Sequence, residues 1–158
     1  MPPYDDSLMT RVIELSAQAR AQGDHPFGAL LAVDGVVVAE AVNRVNSARD
    51  LTAHAETELV RLLEREGHLD ELARGVVYAS CEPCPLCVGA MFWAGARHIV
   101  FGLAASTLNA LSTEPGGTPY GFTITAAELA AFEPHRRPRT CQSFSRVTTR
   151  HFETTRDI

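Results

Sequence analysis

The stretch Val76-Val77-Tyr78-Ala79-Ser80-Cys81-Glu82-Pro83-Cys84-Pro85-Leu86-Cys87 decides the fold of this chain. Its apolar first half predicts a strand over residues 76–80 that ends at Cys81. Proline suits the first turn of a helix, so Pro83 predicts a helix over about residues 83–94. Residues 98–102 predict another strand directly after it. A strand-helix-strand succession of this kind requires a right-handed crossover and parallel pairing of the two strands.

The residues that precede this unit predict a helix and an antiparallel hairpin. Apolar residues recur at intervals of three and four along residues 5–22, which is typical of an amphipathic helix. Residues 27–33 and 36–42 each predict a buried strand. The Asp34-Gly35 dipeptide between them favours a two-residue hairpin turn.

A second polar motif, Thr52-Ala53-His54-Ala55-Glu56, lies about thirty positions before the cysteines. Thr52 is a plausible N-cap for a helix to about Glu66, which would put His54 and Glu56 in the first turn. One imidazole and two thiolates, from Cys84 and Cys87, suit Zn²⁺ and leave its fourth position open to water. The Glu56 carboxylate could move protons on and off that water. The pattern therefore predicts a catalytic zinc site.

The alternative is a closed structural site in which Cys81 is the fourth ligand. Pro83 interrupts the helical register between Cys81 and Cys84, however, and a closed site leaves Glu56 without a role. We therefore expect Cys81 to be a small buried residue at a strand end. Cys141 is expected to be an ordinary cysteine. The remaining histidines have no ligand-like spacing and are expected to be structural or solvated: His25, His68, His98, His135 and His151.

These motifs carry a resemblance to a known family. Pro26-Phe27-Gly28-Ala29, Asn43, the His54 motif and Cys81-Glu82-Pro83-Cys84-Pro85-Leu86-Cys87 resemble the cytidine deaminase-like superfamily. Within it the chain is similar to the branch of bacterial guanine deaminases and tRNA adenosine deaminases. The resemblance implies an α/β fold, a three-layer α/β/α sandwich around a mixed five-stranded sheet, and a homodimer. The length of 158 residues suits a single domain over residues 1–158.

Five residues are candidates for binding a substrate. Phe27 and Trp93 could each offer an aromatic face to a flat heterocycle, with core packing as the alternative. The resemblance implies that Asn43 hydrogen-bonds the substrate; the alternative is that its amide caps the loop backbone. Ala55, inside the His54 motif, is carried over as a substrate-binding residue. Glu114 is the candidate for an acidic loop residue, against a solvated carboxylate.

The charge of the chain indicates which partners it can bind. The formal net charge is −5, and all fourteen basic residues are arginine. An acidic chain disfavours extended binding to phosphate backbones, which needs clustered basic residues. A nucleic-acid partner stays open because arginines gather near the end of the chain: Arg136, Arg137, Arg139, Arg146, Arg150 and Arg156.

We expect a cytoplasmic protein without a membrane partner. No apolar run approaches the roughly 20 residues of a membrane-spanning helix. The acidic N-terminus lacks the apolar segment of a secretory signal.

The last third of the chain is less informative. Residues 103–122 predict a long loop of the kind that is often functional. Thr125 predicts a helix start, and that helix is expected to run to Phe132. Residues 144–152 could form a strand or a helix.

The resemblance implies a zinc-dependent hydrolase that acts on the C–N bond of a cyclic amidine. The leading hypothesis is deamination of a free amino-substituted nucleobase or related N-heterocycle by water, with release of ammonia. The second hypothesis is deamination of adenosine to inosine in a tRNA loop. The third is a zinc-stabilised binding protein that has lost catalysis.

Overall fold

The structure, a computed structural model, describes residues 5–113, 121, 123–131 and 146–149. Helices and strands alternate along most of this length. In chain order the elements are α1 (Asp6–Ala21), β1 (Gly28–Val33), β2 (Val36–Val42), α2 (Val45–Ala48), α3 (Ala55–Glu66), a 3₁₀ turn (Leu69–Ala73), β3 (Val76–Cys81), α4 (Pro85–Ala94), β4 (His98–Leu103), α5 (Ala105–Ser112), α6 (Ala126–Ala131) and β5 (Arg146–Thr149).

The five strands form one mixed sheet in the order β2-β1-β3-β4-β5. β1 is antiparallel to both β2 and β3, whereas β3, β4 and β5 are parallel to one another. The predicted hairpin and the predicted parallel pairing on either side of α4 are both confirmed. β5 resolves the open choice within residues 144–152 in favour of a strand.

Helices cover both faces of this sheet. Leu30 of β1 lies in an apolar cluster with Val12 of α1. Leu31, the next residue of the strand, points to the opposite face and lies in a second cluster with Leu59 of α3 and Met91 of α4. The predicted three-layer α/β/α sandwich is thereby confirmed. Whether residues 1–158 form a single domain stays a prediction.

Helix α1 lies directly against the backbone of β1 at Gly28. A Cβ atom at this position would lie 2.6 Å from the Leu15 Cβ and 2.8 Å from the Val12 carbonyl oxygen. Both distances are too short for any side chain, so only glycine lets the helix come this close. The contact fixes β1 at the point where the chain leaves Phe27.

One prediction for the connecting segments is wrong. The chain forms α5 within residues 103–122, where a loop was expected. Helix α5 is only eight residues long and buries none of them, so its sequence signal is short and weak. Glu114, Cys141 and the terminal arginines other than Arg146 lie outside the described residues, as does the expected helix end at Phe132.

Among the described residues, no helix is both long enough and apolar enough to cross a membrane.

Candidate active site

The site is built on the first residues of two helices. His54 is the N-cap of α3 and Cys84 is the N-cap of α4, with nearly the same backbone angles (φ −71°, ψ 159° and φ −69°, ψ 167°). An N-cap side chain usually accepts a hydrogen bond from the helix backbone, but neither of these does so. Instead the two side chains meet, with the Cys84 Sγ atom 3.5 Å from the His54 Nδ1 atom.

Both helices start two residues later than predicted. Thr52 is not the N-cap of α3, because its hydroxyl donates to the Asp50 carboxylate at 2.6 Å. At the second helix, Pro85 rather than Pro83 occupies the first turn. His54 therefore lies one position outside its helix, which frees its side chain to reach across to α4.

Three ligand atoms form a compact cluster. The Cys87 Sγ atom lies 3.4 Å from the His54 Nδ1 atom and 3.5 Å from the Cys84 Sγ atom. All three atoms lie within 4.8 Å of one another, and Cys81 does not belong to the group. One imidazole and two thiolates are a donor set that fits Zn²⁺, and three protein ligands correspond to an open rather than a closed zinc site. The predicted zinc cofactor is confirmed in this respect.

The hydrogen bonds of the cluster shift the pKa values of the two cysteine thiols in opposite directions. Hydrogen bonding to Cys87 lowers the pKa of the Cys84 thiol to about 4. The same contact, together with burial, raises the pKa of the Cys87 thiol, because a second negative charge beside the first is unfavourable. The contact with Cys84 also raises the pKa of His54. Binding a dication here requires loss of the Cys87 proton.

Glu56 lies next to the ligands on the inner side. Its side chain is 7% exposed, and the Cys87 thiol donates to its Oε2 atom at 3.2 Å. Burial raises the pKa of this carboxyl group above its usual range. A raised pKa makes a carboxyl group a stronger base, which suits a residue that accepts and returns a proton.

A cavity of about 230 Å³ opens from this cluster. Two of the candidate substrate-binding residues, Phe27 and Asn43, line it together with the buried Glu56. Ala55 is buried in the core beside Glu56 and does not line the cavity. Trp93 does not reach it either: its side chain is 70% exposed on α4 and packs edge-on against Phe92. The remaining lining includes His25, Val45, Leu51, Cys81, Glu82, Pro83, Pro85, Ala105, Leu108, Asn109, Gly121 and Ile124.

The Asn43 amide serves the loop and the cavity at once. Its side chain is 1% exposed, and its Oδ1 atom accepts the backbone N–H of Val45 at 3.1 Å. The capping role considered as an alternative is therefore present. Because the Oδ1 atom accepts this bond, the other end of the amide is the NH₂ group. This group makes no hydrogen bond to the described residues and could donate to a bound ligand.

Two titratable residues that line the cavity, His25 and Glu82, had no site role in the sequence analysis. His25 was expected to be structural or solvated, yet it lines the cavity. No spacing signal could have identified it, because it reaches the site through the fold alone. Glu82 lies inside the cysteine motif, but its carboxylate contacts become visible only in the folded chain.

The fold and the cluster together define a zinc-dependent deaminase of the α/β/α class. Residues 3–103 match the family model described as the cytidine and deoxycytidylate deaminase zinc-binding region. The chain belongs to this family. The sequence-based resemblance to the cytidine deaminase-like superfamily is confirmed.

Several known proteins are similar to the chain. A probable cytosine deaminase of Schizosaccharomyces pombe is 38% identical over 116 residues, which are 73% of this chain and 70% of that protein. The guanine deaminase of Bacillus subtilis is 34% identical over 97 residues, 61% of this chain and 62% of that protein. The chain thus spans slightly less than two thirds of that guanine deaminase.

Two solved structures are similar as well. One, from a study of A-to-I editing by tRNA:A34 deaminases, has a TM-score of 0.66 at 26% identity and covers 90% of this chain and 96% of its own. The crystal structure of the B. subtilis guanine deaminase has a TM-score of 0.63 at 30% identity. The similar region covers 70% of this chain and 71% of that one.

Proposed function

We propose that the chain deaminates a free amino-substituted nucleobase, or a related N-heterocycle, with water. The observation that carries this proposal is the buried Glu56 carboxylate at the inner end of a cavity of about 230 Å³, beside the ligand cluster. This volume lies below the roughly 300–1,000 Å³ of typical small-molecule pockets, which favours a ligand the size of one heterocycle. Relatives described as cytosine and guanine deaminases support the same substrate class.

Glu56 is proposed as the group that moves the protons. Zinc, when held by His54, Cys84 and Cys87, would supply Lewis acidity that makes water nucleophilic near neutral pH. Glu56 accepts one proton from the attacking water and delivers it to the ring nitrogen beside the amino-bearing carbon, while the water oxygen bonds to that carbon. A second transfer moves the remaining hydroxyl proton to the amino group. The C–N bond then breaks, and ammonia and the oxo-heterocycle leave.

Asn43 and Phe27 are proposed to orient the base. The unpaired NH₂ group of Asn43 requires an acceptor on the ligand, such as a ring carbonyl or an unprotonated ring nitrogen. Phe27 offers an aromatic surface to a flat ring while also packing on the core cluster. Both cytosine and guanine carry the required acceptors, so this pair of residues does not choose between them.

The proposal is tested by incubating zinc-loaded protein with candidate substrates and measuring the ammonia that each substrate releases. Guanine, cytosine, adenine, their nucleosides, pterins and triazines are compared with a tRNA anticodon stem-loop that carries adenosine. Release from one or more free bases, and not from the stem-loop, is the expected result. Release from the stem-loop alone would contradict the proposal.

The second candidate function is deamination of adenosine in tRNA. The structural similarity to a tRNA:A34 deaminase, over 90% of this chain, favours it. The net charge of −5 opposes it, because a tRNA substrate must be held through its phosphates. The stem-loop arm of the same screen decides between the two.

A catalytically inactive zinc-binding protein is the third candidate. The presence of Glu56 beside the ligand cluster opposes it. This candidate predicts full zinc loading with no ammonia from any compound in the screen.

We also propose a cytoplasmic homodimer. The exposed apolar side chains of Leu86 and Trp93 on α4 support association with a second copy. Light scattering coupled to gel filtration measures the mass directly, and a monomer at micromolar concentration would contradict the dimer.

A further inference from the structure

Glu82 holds three parts of the molecule together. Its Oε2 atom accepts the backbone N–H of Ala105, the first residue of α5, at 2.9 Å. Its Oε1 atom accepts the backbone N–H of Ala126, the first residue of α6, also at 2.9 Å. Its own backbone N–H donates to the Leu103 carbonyl at 2.7 Å, at the end of β4. One carboxylate two residues before the ligand Cys84 is therefore bonded to the start of two helices.

Helix α5 and the segment that leads into α6 carry the outer wall of the cavity, by which we mean Ala105, Leu108, Asn109, Gly121 and Ile124. The first N–H groups of a helix have no partner inside the helix. Ala104, the N-cap of α5, has no side chain that could cap it. Helix α5 also has no fully buried residue. The Glu82 carboxylate takes the place of an N-cap side chain for α5 and links this helix to the ligand loop.

We propose that Glu82 is a positioning residue that sets the width of the substrate cavity by tying the outer wall to the zinc-ligand loop. This rests on the proposed deaminase function. Both carboxylate oxygens of Glu82 accept backbone N–H groups, which occupies them with structural hydrogen bonds, whereas Glu56 lies beside the ligand cluster. Glu82 therefore acts on substrate affinity through the wall, and the proton transfers stay with Glu56.

The test compares the wild type with Glu82→Gln and Glu82→Ala, using guanine or cytosine, whichever the wild type deaminates. Glutamine has one oxygen acceptor and loses one of the two bonds; alanine loses both. We expect KM to rise roughly tenfold in the alanine variant, a fold-change that corresponds to about 1.4 kcal/mol of binding free energy. The value of kcat should stay within about twofold, and the zinc content should not change. A fall in kcat or in zinc at unchanged KM would overturn the proposal.

A backbone variant tests the same bond from the other side. Ala105→Pro removes the N–H that Glu82 accepts, and proline is favoured at the first position of a helix. The extended conformation of Ala104 (φ −70°, ψ 145°) is the one required before a proline. We expect Ala105→Pro to raise KM in the wild type but to add nothing to Glu82→Ala, because the bond is already lost there. Full additivity of the two effects would overturn the proposal.

Glu128→Gln is the matched control. Glu128 accepts the N–H and hydroxyl of Thr125 at the start of α6 but does not contact the ligand loop. The KM of Glu128→Gln should stay within about twofold of the wild type. An increase equal to that of Glu82→Ala would show that the KM effect does not come from the hydrogen bonds of Glu82. Amide hydrogen exchange at Ala105 and Ala126 should accelerate in Glu82→Ala. If the wild type releases no ammonia from any compound in the screen, the proposed function fails, and the hydrogen-exchange measurement then tests the Glu82 link by itself.

Discussion

The two walls of the cavity are built in different ways. The inner wall, with His54, Glu56 and Cys84, lies at the tips of α3 and α4, which pack on the core of the sheet. The outer wall lies on α5 and on the segment before α6, and α5 buries no residue. The family match ends at residue 103, just before the outer wall begins. We therefore expect the inner wall to carry out the reaction and the outer wall to contribute to the choice of substrate.

The largest effect is expected from loss of a ligand in the inner wall. Cys84→Ala removes one of three donors, so zinc content measured by mass spectrometry should fall below one tenth of an equivalent, and ammonia release should disappear with it. Cys81→Ala is the matched control, because Cys81 is buried nearby but outside the ligand cluster. It should keep about one zinc per chain. Loss of zinc in Cys81→Ala would mean that the site has four protein ligands.

Glu56→Gln tests whether Glu56 transfers protons without binding the metal. The amide keeps the size of the side chain but cannot accept the proton, so kcat should fall by roughly 10²–10⁴-fold. Zinc content should remain that of the wild type, because Glu56 is not among the three ligands. A zinc-loaded and fully active Glu56→Gln protein would remove Glu56 from the mechanism.

Asn43→Asp tests the proposed hydrogen bond from Asn43 to the substrate. Aspartate keeps an oxygen for the Val45 N–H but loses the NH₂ donor that is proposed to bind the base. We expect kcat/KM to fall by about tenfold, the effect of one hydrogen bond of ordinary strength. The thermal midpoint should stay close to that of the wild type. An unchanged kcat/KM would show that the substrate does not use this donor.

The smallest effect is expected from the outer wall. Leu108→Ala and Asn109→Ala should change the ratio of kcat/KM between guanine and cytosine by a few-fold, since a pocket that loses a few contact atoms discriminates only weakly. Zinc content should not change in either variant. If the ratio is unaffected in both, the choice of substrate lies elsewhere, and the contrast between the walls fails.

The inner wall could be predicted from the sequence because its signals are local. Residues 76–87 contain the strand, the turn and the two cysteine ligands within one short stretch, and the His54 motif stands at a helix start. What local rules miss is the identity of the N-cap. They favour a threonine at position 52, whereas His54 takes the N-cap position and directs its side chain to the ligand cluster.

The outer wall could not be predicted because its contacts are between distant residues. Glu82 accepts hydrogen bonds from backbone groups 23 and 44 positions further along the chain. Such bonds use N–H groups that every residue except proline possesses, so no residue type marks them. Trp93 illustrates the opposite error: an aromatic residue near the ligands suggested a stacking surface, but its position on α4 turns it away from the cavity.

Gly28 has a consequence for how the chain tolerates mutation. Helix α1 lines no part of the cavity, yet it touches the backbone of β1 at Gly28, one residue after the lining residue Phe27. A larger side chain at Leu15 would therefore press on the backbone that leads from Phe27. A survey of substrate preference that is confined to the cavity would overlook this position on α1.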